Sequence, residues 1–81
     1  MHVQQETIVI PKGNKQAILA CSINGAIYQP SLFLLGRKSG IIAISDVQGP
    51  SSDHMSFNDD GDIIVTGYGT YHFYYRLWLM E

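Results

Sequence analysis

The chain has 81 residues, of which 46% are hydrophobic and 15% are charged. This length holds one small domain, and the apolar content is enough for a core, so the composition excludes a second domain and intrinsic disorder. Charged residues fall short of the roughly 25% of ordinary soluble domains. The net charge is −2, and no basic run is present that could follow a phosphate backbone, so we expect no nucleic-acid partner.

The first five residues have little to bury, and we expect them to form a frayed end or a connection, with residues 6–81 as a single domain. Within that domain, β-branched and aromatic residues outnumber Ala, Leu, Glu and Lys, which predicts sheet rather than helix. Turn signals divide the chain into short segments. The predicted strands cover residues 6–10, 16–23, 26–29 with a continuation over 31–35, 40–47, 54–57, 62–66 and 70–80.

Several turns are predicted from their residue types. Asn24 and Gly25 tolerate the positive φ angles of a two-residue hairpin turn, and Asp60 with Gly61 predicts a second hairpin. Pro30 removes a ladder donor, so the third segment must break, bulge or bend there. Seven or eight short strands without crossover helices predict an antiparallel β-sandwich of the jelly-roll or immunoglobulin-like type, with a small β-barrel as the alternative.

The single cysteine, Cys21, cannot form an intramolecular disulfide, and its apolar surroundings predict a buried side chain. A chain this close to the size limit of an unaided core usually needs a disulfide, a metal or a partner chain. Because an intramolecular disulfide is impossible and the metal signals are weak, we expect self-association. No apolar run reaches the length of a membrane span and no export signal is visible, so we expect no membrane insertion.

The closing strand is apolar on both faces. One face carries Tyr71, Phe73, Tyr75, Leu77 and Leu79, and the other carries His72, Tyr74, Arg76, Trp78 and Met80. Since Trp, Tyr and Arg are the residues that dominate binding interfaces, we take His72, Tyr74, Arg76 and Trp78 as the candidate site. Three interpretations remain open: a second half of the domain core, an oligomer interface, or a stacking platform for a sugar.

Other groups of residues have the types found in catalytic or metal sites but not the spacing that such sites require. The acidic turn from Asn58 to Asp62 lacks the terminal bidentate glutamate of a calcium loop. Ser52, Asp53 and His54 are adjacent, and three consecutive side chains cannot form a hydrolase triad. The three histidines lack a second ligand at zinc spacing. We therefore expect no catalytic residue, no metal and no cofactor.

Two further short features have simple interpretations. The glycines of the segment 65–69 predict a hinged corner between two strands rather than an ion filter or a dinucleotide loop. Arg37 and Lys38, together with Lys12 and Lys15, form at most a small basic spot, which is too few cations for an RNA-binding sheet.

Five features stand out along the chain: the opening Thr7–Gly13 segment, the Asn24-Gly25 pair, the strand 40–45, the hairpin 57–65 and the aromatic closing strand. Together they resemble the small C-terminal β-sandwich domains of phage tail fibres and related receptor-binding or virion proteins. The resemblance spans nearly the whole chain. It implies a non-enzymatic viral structural domain, a homotrimer that locks a fibre end or contacts a host glycan or protein. The alternative is a monomeric, lectin-like carbohydrate-binding module that stacks sugars on Trp78 and Tyr74.

Overall fold

The computed structural model describes residues 4–23, 30–45, 50–69 and 71–81. The predicted turn at Asn24 and Gly25, the predicted strand 26–29 and the end of the predicted strand 40–47 lie outside these ranges. The described residues form seven strands: β1 (Glu6–Ile8), β2 (Gln16–Ile23), β3 (Ser31–Gly36), β4 (Gly40–Ser45), β5 (Met55–Phe57), β6 (Ile63–Val65) and β7 (Phe73–Met80). The described residues contain no helix long and apolar enough to cross a membrane.

The strands form two antiparallel sheets, which confirms the predicted β-sandwich. The smaller sheet has the order β1-β6-β5, and the larger has the order β4-β3-β2-β7. Alternation along each strand sends every second side chain into the space between the sheets. The core consists of Ile8, Ile10, Ala17, Leu19, Cys21, Phe33, Leu35, Met55, Ile63, Val65 and Tyr68. The buried position of Cys21 agrees with its apolar context.

The predicted hairpin at Asp60 and Gly61 joins β5 to β6. The Asn58 side-chain oxygen accepts hydrogen bonds from the backbone N–H groups of Asp60 and Asp62, each at 2.9 Å. Gly61 has a φ of 81°, which a residue with a Cβ rarely adopts. The side chain that stabilises this turn is therefore the asparagine at its start, and the glycine supplies the reversal.

Arg37, in the turn between β3 and β4, ties the two sheets together at one end. Its guanidinium donates to the backbone carbonyls of Asn14, Ile10 and Pro11 in the β1–β2 connection, at 3.2, 3.0 and 3.3 Å. A fourth bond of 3.4 Å reaches the carbonyl of Gly61. A planar guanidinium with several N–H donors suits this role, because one side chain can donate hydrogen bonds to carbonyls from separate loops.

The glycine-hinged corner predicted between β6 and β7 is also present. Gly67 and Gly69 have φ angles of 81° and 60°, and Tyr68 between them turns into the core. The Tyr68 ring stacks on Phe73 at a centroid distance of 5.2 Å. A Cβ at position 67 would clash with the ring of His54, so this corner requires glycine for space as well as for conformation.

Some strands are shorter than predicted because other hydrogen bonds take the place of the ladder at their ends. The predicted strand 6–10 ends at Ile8, since the N–H of Ile10 donates to the Asp62 carboxylate at 3.0 Å. The last strand begins at Phe73, because the N–H of Tyr71 closes a turn on the carbonyl of Tyr68. Pro30 lies directly before β3, as expected for a residue that cannot donate to the sheet.

Candidate functional site

The candidate residues lie on or next to β7, the edge strand of the larger sheet. β7 pairs with β2 along eight consecutive residue pairs, from Gln16 with Met80 to Ile23 with Phe73. Among the described residues, no strand pairs with the other edge of β7. The residues singled out in the sequence therefore sit where the sheet ends.

Three of the four candidates project from the face of the larger sheet that points away from the core. Tyr74, Arg76 and Trp78 stand opposite Ser22, Ala20 and Ile18 of β2. His72 precedes the strand, and its ring lies 6.2 Å from that of Tyr74. The structure therefore brings the predicted residues together on one side of the molecule.

The outer face of the larger sheet, meaning the side chains of β2, β3, β4 and β7 that point away from the core, is mainly apolar. One row of paired residues crosses all four strands and consists of Ile42, Leu34, Ile18 and Trp78. The ends of the row are open to solvent, with Ile42 exposed by 45% and Trp78 by 49%. Among the described strand residues of this face, Arg76 is the only charged one. A face of this kind is unusual for a solvated sheet.

A groove of about 520 Å³ runs along this face between β2 and the large side chains of β7. Its lining residues are Ala20, Cys21, Ser22, Pro30, Tyr74, Tyr75, Arg76 and Trp78. The groove exists because Ala20 and Ser22, the partners of Arg76 and Tyr74, have small side chains. Three aromatic residues, one arginine and one serine therefore border the same depression.

The core-facing side of β7 is also partly open. Phe73 and Leu77 are half-buried and pack against the core. Tyr75 and Leu79, on the same side, remain 42% and 45% exposed. Core-facing side chains of this strand are therefore covered only in part. Both sides of β7 consequently present apolar surface to solvent.

The groups that the sequence suggested for other chemistry have structural tasks. Residues Ser52–His54 form one turn of 3-10 helix, and the carbonyl of His54 accepts from the N–H of Thr66 at 2.9 Å. In the acidic turn, Asn58 and Asp62 direct side-chain oxygens at backbone N–H groups. Within the described ranges, no three His, Cys, Asp or Glu side chains are grouped so as to hold a metal ion.

Sequence analysis missed two contributions. Ala20, Ser22 and Pro30 line the groove, but their role depends on which strands are neighbours, and no local pattern reveals this. Arg37 was considered as part of a basic spot, whereas the structure shows it bound to backbone carbonyls. Its position in a turn beside Gly36 was the only signal available.

No family model, curated protein or solved structure matches this chain.

Proposed function

We propose that this protein is a non-enzymatic structural and attachment domain of a virion, and that it self-associates through β7. The observation that carries self-association is the exposure of large apolar side chains on both sides of one edge strand. Trp78 projects from one side, and Tyr75 and Leu79 project from the other. A solitary domain would leave these groups in water.

The energetics favour contact with a partner. Full burial of one large apolar side chain is worth about 1.5–3 kcal/mol. Three half-exposed side chains on one strand therefore represent a gain of several kcal/mol that a lone chain cannot realise. Trp, Tyr and Arg are also the residue types that contribute most at protein interfaces, and β7 contains all three within five positions.

The virion setting, the attachment role and trimeric order are what the resemblance to phage tail-fibre domains implies. The outer face supports an attachment role, since it continues from Trp78 across to Ile42 on the far edge. Contact through the β7 edge leaves that far part of the face open to a host receptor. A glycan or a protein loop would find apolar surface there.

Native mass tests the proposal. We expect light scattering at micromolar concentration to give a mass of more than one chain. Trp78→Ala should weaken association at least about thirtyfold, the equivalent of about 2 kcal/mol at an interface centre. Tyr71→Ala is the matched control, because Tyr71 is an equally exposed aromatic residue, at 51%, that precedes the strand. A wild-type protein that runs as a single chain contradicts self-association.

The groove favours a second candidate function, a monomeric carbohydrate-binding module. Its volume of about 520 Å³ is of the size that ligand sites have, and three aromatic residues line it. Because Trp78 is the only tryptophan, its fluorescence reports a sugar in the groove directly. A monomer with saturable fluorescence changes that Tyr74→Ala abolishes would support this function. A multimer whose Trp78 emission ignores all sugars tested would argue against it.

A further inference from the structure

The direction of the backbone groups in β7 follows from two hydrogen bonds at one end of the larger sheet. The carbonyl of Lys15 accepts from the N–H of Arg37 at 3.3 Å, so Lys15 faces β3. Backbone groups of successive strand residues point to opposite sides, and Gln16 therefore faces β7. Independently, the Asn14 side-chain amide donates to the carbonyl of Met80 at 3.4 Å, which places that carbonyl on the β2 side.

It follows that Tyr74, Arg76, Trp78 and Met80 direct their backbone groups at β2. The residues between them direct theirs at the open edge. Tyr75, Leu77 and Leu79 thus present a regular row of N–H and C=O groups without a partner strand among the described residues. Such a row is a template for one more strand.

β7 has few of the usual protections of an exposed edge, and its single charged side chain is Arg76. The strand is eight residues long, contains neither proline nor lysine, and keeps one continuous register with β2. The opposite edge strand, β4, is shorter and its pairing with β3 shifts register between Leu32 and Phe33. Irregular and short edges discourage strand addition, whereas long regular ones permit it. The sheet is therefore open to extension at β7.

We propose that a second copy of this chain adds to the β7 edge by antiparallel β7–β7 pairing, which joins two four-stranded sheets into one continuous sheet. This inference rests on the proposed self-association and specifies its geometry. The two copies are related by a two-fold axis perpendicular to the sheet, so the outer faces of both copies lie on the same side.

Symmetry and charge select one register. Side chains of directly opposite residues point to the same side of the sheet. One residue of β7 must therefore lie opposite its own copy across the two-fold axis. Two registers give the longest overlap of β7 with itself, one centred on Arg76 and one on Leu77. The first places two Arg76 side chains directly opposite each other, and like charges in that position are destabilising. The register centred on Leu77 avoids this repulsion.

The same register makes the side chains complementary. Arg76 lies opposite Trp78 of the second copy, where the guanidinium reaches a ring face in a cation–π contact. On the other side, Tyr75 lies opposite Leu79 of the second copy. Because the odd-numbered residues direct their backbone groups outward, these pairs exchange about six backbone hydrogen bonds. The exposed apolar groups of β7 thereby gain partners on both sides of the sheet.

This contact is isologous and closes after two copies. It therefore predicts a mass of two chains, or an even multiple, in place of the trimer that the resemblance implies. A trimer would require another contact surface.

Disulfide cross-linking tests the register. In a Cys21→Ala background, Leu77→Cys should oxidise to a covalent dimer, because directly opposite hydrogen-bonded residues have Cα atoms about 5.5 Å apart. Arg76→Cys should not, since in this register its counterpart lies diagonally, about 7–8 Å away, beyond disulfide reach. Ile44→Cys, an exposed position on the opposite edge strand, is the control for random cross-linking.

A second variant tests the backbone bonds. Leu79→Pro removes an N–H that faces the open edge and leaves the bonds to β2 in place. We expect Leu79→Pro to remain folded by circular dichroism and to fall from two chains to one in mass at micromolar concentration. Leu79→Val, which keeps the N–H, should retain the dimer.

The outcomes separate this inference from the proposed function. A two-chain mass with cross-linking at position 77 and not at 76 or 44 supports β7 pairing. β7 pairing in this register is overturned if the protein has a multi-chain mass but cross-links at position 76 or 44, or if the Leu79→Pro variant keeps that multi-chain mass. Self-association itself would then still stand. A wild-type protein of one-chain mass overturns both.

Discussion

The outer faces of the two sheets differ sharply. Across the smaller sheet, the outward row is Thr7, Ile64 and Ser56, in which two of three side chains are polar. Across the larger sheet, the corresponding row is Ile42, Leu34, Ile18 and Trp78, which contains no polar side chain. The smaller sheet follows the alternation of a solvated sheet, and the larger one does not. This difference is the reason that the proposed contacts involve the larger sheet.

The strands of the larger sheet also differ in how deeply their core-facing side chains are buried. On β2 and β3 most of these side chains are buried, whereas on the edge strands β4 and β7 they are half-buried or exposed. Phe33 and Leu19 are fully buried, whereas Ala43 on β4 and Tyr75 on β7 are exposed on the same side. Of the two edges, only β7 carries large aromatic groups there. This asymmetry is the reason that we propose β7 rather than β4 as the strand of self-association.

The largest expected effect on stability comes from comparing a core-facing with an outward-facing residue on β6, a strand of the smaller sheet. Ile63 is fully buried and its neighbour Ile64 is half-buried on the outer face. Ile63→Ala should lower the free energy of unfolding by about 2–5 kcal/mol, because it leaves a cavity. Ile64→Ala should cost about 1 kcal/mol or less. Urea denaturation measures both, and equal costs would show that the outer face of the smaller sheet is as tightly packed as the core.

A smaller effect is expected at Arg37, which connects the sheets without belonging to either face. Arg37→Ala removes its bonds to four carbonyls and should cost about 1–2 kcal/mol, since the site is exposed and water replaces part of the loss. Lys38→Ala, at the next position, should change stability by no more than about 0.5 kcal/mol. Native mass should stay unchanged in both variants. Dissociation of Arg37→Ala would mean that the loops it ties contribute to the interface.

The smallest effect appears only at high pH. Burial, and secondarily the negative charge of Glu6, raise the pKa of Tyr68 above its ordinary value of 10.0. The folded state therefore holds this proton more tightly than the unfolded state does. Stability relative to Tyr68→Phe should be constant below about pH 10 and should fall as the pH rises through the higher folded pKa. Thermal melts of both proteins between pH 8 and 11 measure it, and parallel curves would contradict the assignment.

Much of the fold was predictable from local patterns. The limits of β2 follow from an apolar run between polar turns, and the β5–β6 hairpin follows from Asp60 and Gly61. The two faces of β7 follow from simple alternation. Where local patterns failed, a distant side chain intervened. The strand 6–10 is shortened because Asp62, 52 positions away in sequence, captures the N–H of Ile10.

The candidate site was predictable only in part. Tyr74, Arg76 and Trp78 could be identified because their types and spacing place them on one face of a strand. The groove could not, because it depends on Ala20 and Ser22 being their cross-strand neighbours. Neighbour relations between distant strands are set by how the whole chain buries its core, and no short segment encodes them.

Amino-acid order alone determined that this chain is a sheet protein, where its strands lie, and that its final strand is apolar on both sides. Tertiary structure decided that this strand lies at an edge, that Tyr75 and Leu79 on its core-facing side stay half-exposed, and that its odd-numbered residues direct their backbone groups outward. The physical reason is that alternation and turn propensity act between near neighbours. Strand order, in contrast, minimises exposed apolar area over the entire molecule, and an edge exists only once all the other strands have been placed.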